Sequence, residues 1–238
     1  MSRISTPHAP RRRVAARRAS LLALTAVLAA LALPSVSLAH AATRDHAAHG
    51  GTGAVHVRTA RQLAFHDAMR KLWEDHITWT RLAIVDFAAG SPSLQATEAR
   101  LLANQVDIGN AVAPYYGRAA GAKLTALLKE HILGAVAVLQ AAKAGDAAGL
   151  AKANAAWYAN ANQIADFLAS ANPRNWPKAE MREMMKTHLD ATLVEATDTL
   201  QGKYPESVRA YDDVHKQILE MADMLSDGIM RQFPSRFR

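Results

Sequence analysis

Between Thr59 and Pro234 the chain holds no stretch of strict apolar–polar alternation, and glycine and proline cut it into long pieces. That combination leaves little room for a sheet. The breaks fall at Gly90-Ser91-Pro92, Pro114 to Gly121, Gly145-Asp146, Asn172 to Pro177, Gly202 to Pro205, and Pro234. The pieces between them are rich in Ala, Leu, Met, Lys, Glu and Gln, which enter a helix at small cost. Their spacing predicts six helices, over 60–89, 94–112, 121–144, 147–171, 178–201 and 206–232. Ser93 and Asp146 stand where N-caps belong, and Pro177 suits a first helical turn. The expected fold is all-α, a six-helix bundle.

The start of the chain reads as an address. Residues 1–19 carry six arginines and no acid, Leu21 to Leu33 is apolar, and small residues follow Pro34. A basic region, a short apolar run and a small-residue zone make an export signal, cleaved within 1–41. The run is shorter than the roughly 20 residues a membrane span needs. Arg17-Arg18 loosely resembles a twin-arginine signal, and a general secretory signal fits as well. The expected location is therefore outside the cytoplasm, with no integral membrane segment left after cleavage. Residues 42–58 form a His-rich leader, and 59–238 the folded domain. Six of the 28 basic residues leave with residues 1–41 and none of the 21 acidic ones, so the +7 charge falls to +1. No basic block or recognition motif remains, and nucleic acid is excluded as an expected partner.

Three stretches of the domain align. His76, His131 and His188 each lie 14 residues before a glycine, at Gly90, Gly145 and Gly202. The helix after each glycine carries an aspartate, Asp107, Asp166 or Asp223, at 31, 35 and 35 residues from its histidine. This reads as three helical hairpins, each with a histidine on its first helix and an aspartate on its second. One hairpin cannot bury its apolar face alone, so three would pack together.

The histidines sit on apolar stripes. The residues three and four positions away include Leu72 and Trp73 for His76, Leu127 and Leu128 for His131, and Met184 and Met185 for His188. Buried imidazoles need partners, since an unpaired buried polar group costs roughly 1–3 kcal/mol. Two readings follow. In one, His76, His131 and His188 converge with Asp107, Asp166, Asp223 and Glu220 to hold zinc, iron, manganese or copper, or a small ligand. In the other, each His–Asp pair ties its own hairpin, and the domain is a structural or protein-interaction module without a ligand. A metal-dependent oxidoreductase or hydrolase is a third reading and needs an open coordination position. Tyr158, Asn160 and Asn162 form a polar patch that could line a pocket or pair with the buried histidines. Asp212-x-x-His215 reads as an exposed pair.

Other chemistry is excluded. The chain has no cysteine, hence no thiolate ligand or nucleophile. It has no glycine-rich phosphate loop, so no nucleotide cofactor is expected, and it lacks both a nucleophile elbow and a His-Glu-x-x-His motif.

Leu72-Trp-Glu-Asp-His76-Ile-Thr-Trp79-Thr80-Arg81, Tyr116-Gly117, Trp157 to Ala165, Glu220-Met-Ala-Asp223-Met and Gln232-Phe233-Pro234 together resemble a family of small bacterial all-helical proteins with an LWxxHxxWTR motif. The resemblance spans about residues 68–234 and implies the fold without implying an activity. Some members carry the label acetylglutamate kinase. That kinase is an α/β protein with phosphate loops, and this chain has neither. The chain departs from the family at Gln105, where relatives read Asn-Pro-x-Asp, and at Asn162, where they read Asn-Ala-Asp.

Overall fold

The computed structural model describes residues 58–238, and the expected export signal and most of the leader lie outside them. Six helices follow one another: α1 Ala60–Ala89, α2 Leu94–Tyr116, α3 Arg118–Ala144, α4 Ala147–Ala171, α5 Lys178–Leu200 and α6 Tyr204–Gln232. A 3-10 turn, Pro234–Phe237, closes the chain. Among the described residues there is no strand.

Local chemistry sets the ends. Thr59 and Gln62 form a capping box at the start of α1, and Asp146 accepts from the Gly149 amide at 2.9 Å to cap α4. Ser93 makes no side-chain cap, because its hydroxyl is engaged with Ser91. The largest departure from expectation lies at Pro114. It sits inside the last turn of α2, and only Gly117, at φ 90°, separates α2 from α3. A proline costs a helix its bond to the carbonyl four residues back. Here that carbonyl belongs to Asn110, which is exposed and can be hydrated.

Each helix packs on its neighbours in sequence, and α6 packs on α1, so the bundle closes into a ring. Pairs along the α1–α6 seam show the antiparallel register: Arg58 with Asp227, Glu74 with His215, Arg81 with Ser207. With short connections throughout, α1, α3 and α5 run one way and α2, α4 and α6 the other. α2 and α3 approach so closely that a Cβ on Gly109 would come within 2.6 Å of the Gly121 carbonyl, and the reverse holds for Gly121. Trp176 anchors the α4–α5 loop by lying over Gly228 and donating to the Met224 carbonyl at 3.3 Å. The core runs along the ring axis through Ile77, Ile164, Leu189, Ile218 and Ile229, all 1% exposed or less.

A candidate tris-histidine site

His76, His131 and His188 come one each from α1, α3 and α5, the three parallel helices, and are 3–5% exposed. Their rings meet inside the bundle. Centroids of His76 and His188 are 5.9 Å apart, and those of His131 and His188 6.4 Å. Trp157 stacks on His131 at 5.3 Å, and Trp73 meets His76 edge-on at 5.8 Å. Gly134 makes the first contact possible, because a Cβ there would lie 2.9 Å from the Trp157 ring.

The partners of the three rings are amides. His76 Nδ1 meets Gln105 Nε2 at 3.2 Å, His131 Nδ1 meets Asn160 Oδ1 at 3.1 Å, and His188 Nδ1 meets Gln217 Oε1 at 3.1 Å. In every case the partner is 29 residues further along the chain, on the second helix of the same hairpin. The amide nitrogens of Asn160 and Gln217 also donate to the carbonyls of Leu127 and Met184, one turn before each histidine. In the first hairpin two residues divide this task. Asn104 donates to the Leu72 carbonyl at 3.0 Å while Gln105 meets the ring.

These bonds set the tautomers. An amide oxygen can only accept, so His131 and His188 donate from Nδ1 and carry a lone pair on Nε2. Gln105 donates through nitrogen, so His76 accepts at Nδ1 and keeps its proton on Nε2. The Gln105 Oε1 atom is then buried without a partner. Burial holds all three rings neutral at pH 7. It pushes His76 well below its ordinary value, aided by His188 and His131, and takes His131 to about 3, aided by His188. It takes His188 to about 4, with Gln217 opposing.

The carboxylates expected at this site lie elsewhere. Asp107 is exposed and 3.5 Å from Arg100. Asp166 binds Arg182 at 2.7 Å and Lys178 at 2.9 Å, which hold its carboxyl down to about 2. Asp223 lies 2.8 Å from His66 and 3.1 Å from Arg70, and Glu220 is exposed. The helical turn explains this. Asp166 and Asp223 follow Asn160 and Gln217 by six residues, which at about 100° per residue lands about 120° off the inward face, and Asp107 follows Gln105 by two, about 200° away. The partnership of each histidine with an aspartate is therefore replaced by one with an amide. Asn160 was within the polar patch read from sequence. Gln105 and Gln217 were not, and the signal that would have found them is the constant interval of 29 from each histidine. Tyr158 donates to Asp190, Asn162 is exposed, and His215 faces Glu74 rather than Asp212.

A second buried polar group lies where α1, α5 and α6 meet. Glu195, 1% exposed, takes a bond from Arg81 at 3.1 Å, and Arg81 also reaches the Thr199 and Ser207 hydroxyls. Burial pushes the Glu195 carboxyl up to about 7, against the pull of Arg81.

Among the described residues, no three His, Asp or Glu side chains already stand at the spacing of ligands around a bound metal. Comparison with family models, with curated proteins and with solved structures finds no match.

Proposed function

We propose that the chain is an exported helical binding protein that takes one transition-metal ion on His76, His131 and His188. The observation carrying this reading is the convergence of three neutral imidazoles, each fixed at Nδ1 by an amide from its own hairpin. Metal-bound histidines are commonly held in this way through the second ring nitrogen, which orients the first. Nitrogen-only donors favour zinc or copper over manganese, which prefers oxygen. The Gln105 nitrogen also donates to the Leu101 carbonyl at 2.8 Å and to Asn104 Oδ1 at 3.2 Å, so a third free Nε2 lone pair, on His76, would require that amide to turn over and give up both bonds. The equal spacing of the three His–amide pairs supports descent from one repeated hairpin. The export signal read in residues 1–41 supports action outside the cytoplasm.

One observation favours the ligand-free alternative. Two imidazoles on one zinc, with Zn–N about 2.0–2.1 Å, bring their centroids to about 5 Å, and these rings stand 5.9 and 6.4 Å apart. Three rings whose Nδ1 atoms are already paired with amides hold their positions without a metal. Elemental analysis of a chain lacking the His-rich leader, purified without an affinity tag, decides between them. The metal reading expects about one zinc or copper per chain, lost in a folded His76/His131/His188 triple variant. A folded, metal-free protein indifferent to added zinc and copper would leave the triad as architecture.

A further inference from the structure

The two ends of the bundle differ in charge. At one end α1, α3 and α5 begin and α2, α4 and α6 finish, and the chain there runs through 114–118, 172–178 and 231–238. These stretches hold Arg118, Arg174, Lys178, Arg231, Arg236 and Arg238 and no acid. All six cations are exposed. At the opposite end the joints and the turns beside them carry Asp86, Asp146, Asp198 and Glu206 against Lys143 and Lys203. A chain that is close to neutral as a whole is therefore polarised along its axis.

The cations share one surface. Tyr116 donates to Gln232 at 2.6 Å, and Gln232 donates to the Ala171 carbonyl at 3.1 Å, so the three stretches are tied together. Arg236 donates to the Pro114 carbonyl at 3.2 Å, which lays the last turn of the chain over the α2–α3 joint. Arg174 and Arg231 line one depression with Asn175 and Gln232. Neighbouring acids are engaged: Asp166 by Lys178 at 2.9 Å and Arg182 at 2.7 Å, and Asp227 by Arg58 at 2.8 Å. Arg118, Arg174 and Arg238 are exposed and, among the described residues, meet no carboxylate. Behind this surface Tyr115, Tyr116 and Phe233 are half-buried against one another, with ring centroids of Phe233 5.8 Å from Tyr115 and 5.4 Å from Tyr116.

We propose that this end rests on an anionic lipid surface, its arginines pairing with headgroup phosphates. Guanidinium suits phosphate because its planar fork can make two parallel bonds to the oxygens. Three observations favour lipid over other polyanions. The cations sit on joints and helix tips, so no basic helix face is offered to a nucleic-acid groove. Tyrosine rings stand directly behind them, and such rings suit the depth of lipid headgroups. The chain also enters the domain at this end, at Arg58, with residues 34–57 between it and the apolar run Leu21–Leu33, so the basic end is the one tethered to that run before cleavage. The proposal is independent of the metal reading, since none of these residues touches the histidines.

Cosedimentation with lipid vesicles is the test. It uses the exported form, residues 42–238, at pH 7.5, where ordinary histidines in the leader are mostly neutral. The chain should bind vesicles of phosphatidylcholine mixed with phosphatidylglycerol at low salt, leave them at high salt, and ignore phosphatidylcholine alone. Each arginine near such a surface strengthens binding roughly fivefold. The triple variant Arg118→Gln/Arg174→Gln/Arg238→Gln should therefore bind at least about tenfold more weakly. Lys152→Gln/Lys203→Gln/Arg209→Gln makes the same change in charge on exposed residues at the other end, and should stay within about twofold of the parent. Helical circular dichroism confirms that both variants fold. No binding to the mixed vesicles at low salt would overturn the proposal, as would equal weakening in the two variants, which would leave only net charge. Tighter binding to a DNA duplex than to the mixed vesicles would overturn the assignment to lipid.

Discussion

Gln217 grips one turn of α5 at both ends: its Oε1 accepts from His188 Nδ1 at 3.1 Å while its Nε2 donates to the Met184 carbonyl at 3.2 Å. Only an amide can do both. A carboxylate would satisfy the ring and face the carbonyl with nothing to donate. It would also pull His188 toward its charged form, as a nearby negative charge does. The amide therefore keeps the triad neutral and positioned.

The first prediction follows from that grip. Gln217→Leu should keep the helical circular-dichroism signal and lose about 1–3 kcal/mol of stability, because the Met184 carbonyl and His188 Nδ1 lose their partner. Metal affinity, measured by competition with a chelator, should fall roughly 10–100-fold. An affinity equal to that of the parent chain would mean that the amide does not orient a ligand.

The second concerns acid. The folded histidines bind protons less readily than their ordinary 6.5, so the unfolded chain gains protons first and stability is lost as pH falls below 6.5. Glu195 acts in the opposite sense. Its raised value, about 7 against 4.5, means the fold holds that proton more tightly, so its contribution is present at low pH and lost as pH rises from 4.5 to 7. Three histidines outweigh one glutamate by about two protons near pH 5.5, or roughly 2.7 kcal/mol per pH unit. Urea unfolding across pH 7 to 4.5 should show that slope, and Glu195→Gln should steepen it. A flat profile would contradict the buried neutral triad.

Arg81 supplies the third. Removing one partner of a buried pair costs roughly 3–5 kcal/mol, because the other charge is left stranded. Arg81→Met should therefore destabilise the bundle strongly at pH 8 and less at pH 6, where Glu195 can take up a proton. Adding Glu195→Gln should recover most of the loss. If the double variant is no more stable than Arg81→Met alone, the cost lies in packing and not in charge.

Gly134 gives the fourth. In an ordinary helix Gly→Ala adds about 0.5–1 kcal/mol of stability. At position 134 the new methyl would press on Trp157, 2.9 Å away, and the indole would have to leave His131. Gly134→Ala should lose about 1–3 kcal/mol and change the near-UV dichroism of tryptophan. A stabilised variant with an unchanged spectrum would show that the Trp157–His131 stack is not tightly set.

Much of this architecture was legible in the residues. Glycines 14 positions after each histidine do mark turns, with Gly90, Gly145 and Gly202 at φ 65°, 70° and 73°, where side chains are costly. The apolar stripes around His76, His131 and His188 correctly indicated burial, since a 3.6-residue period reports facing directly. Partner identity was harder to read. Aspartate is the obvious mate for histidine by charge, and the sequence offers three at similar offsets. What decides the pairing is rotation about the helix axis, and Gln105, Asn160 and Gln217, not the three aspartates, are turned toward the histidines. The joint at Gly117 was misread for a related reason. Pro114 signals a break by rule, but the exposure of Asn110 that makes it tolerable is a property of the assembled bundle.

The seam between α1 and α6 has a further consequence. Thr59 Oγ1 donates to the Phe237 carbonyl at 2.7 Å, so the first and last turns of the domain touch. A domain whose first and last turns meet, in a ring where each helix adjoins the next, has no privileged starting point. The same bundle could be written beginning at α3 or α5, with a short join from Phe237 to Thr59 and new ends at Gly117 or in the 172–177 connection. Order along the gene and order around the axis are then independent, and each hairpin carries its own histidine and its own amide to whichever place it is given.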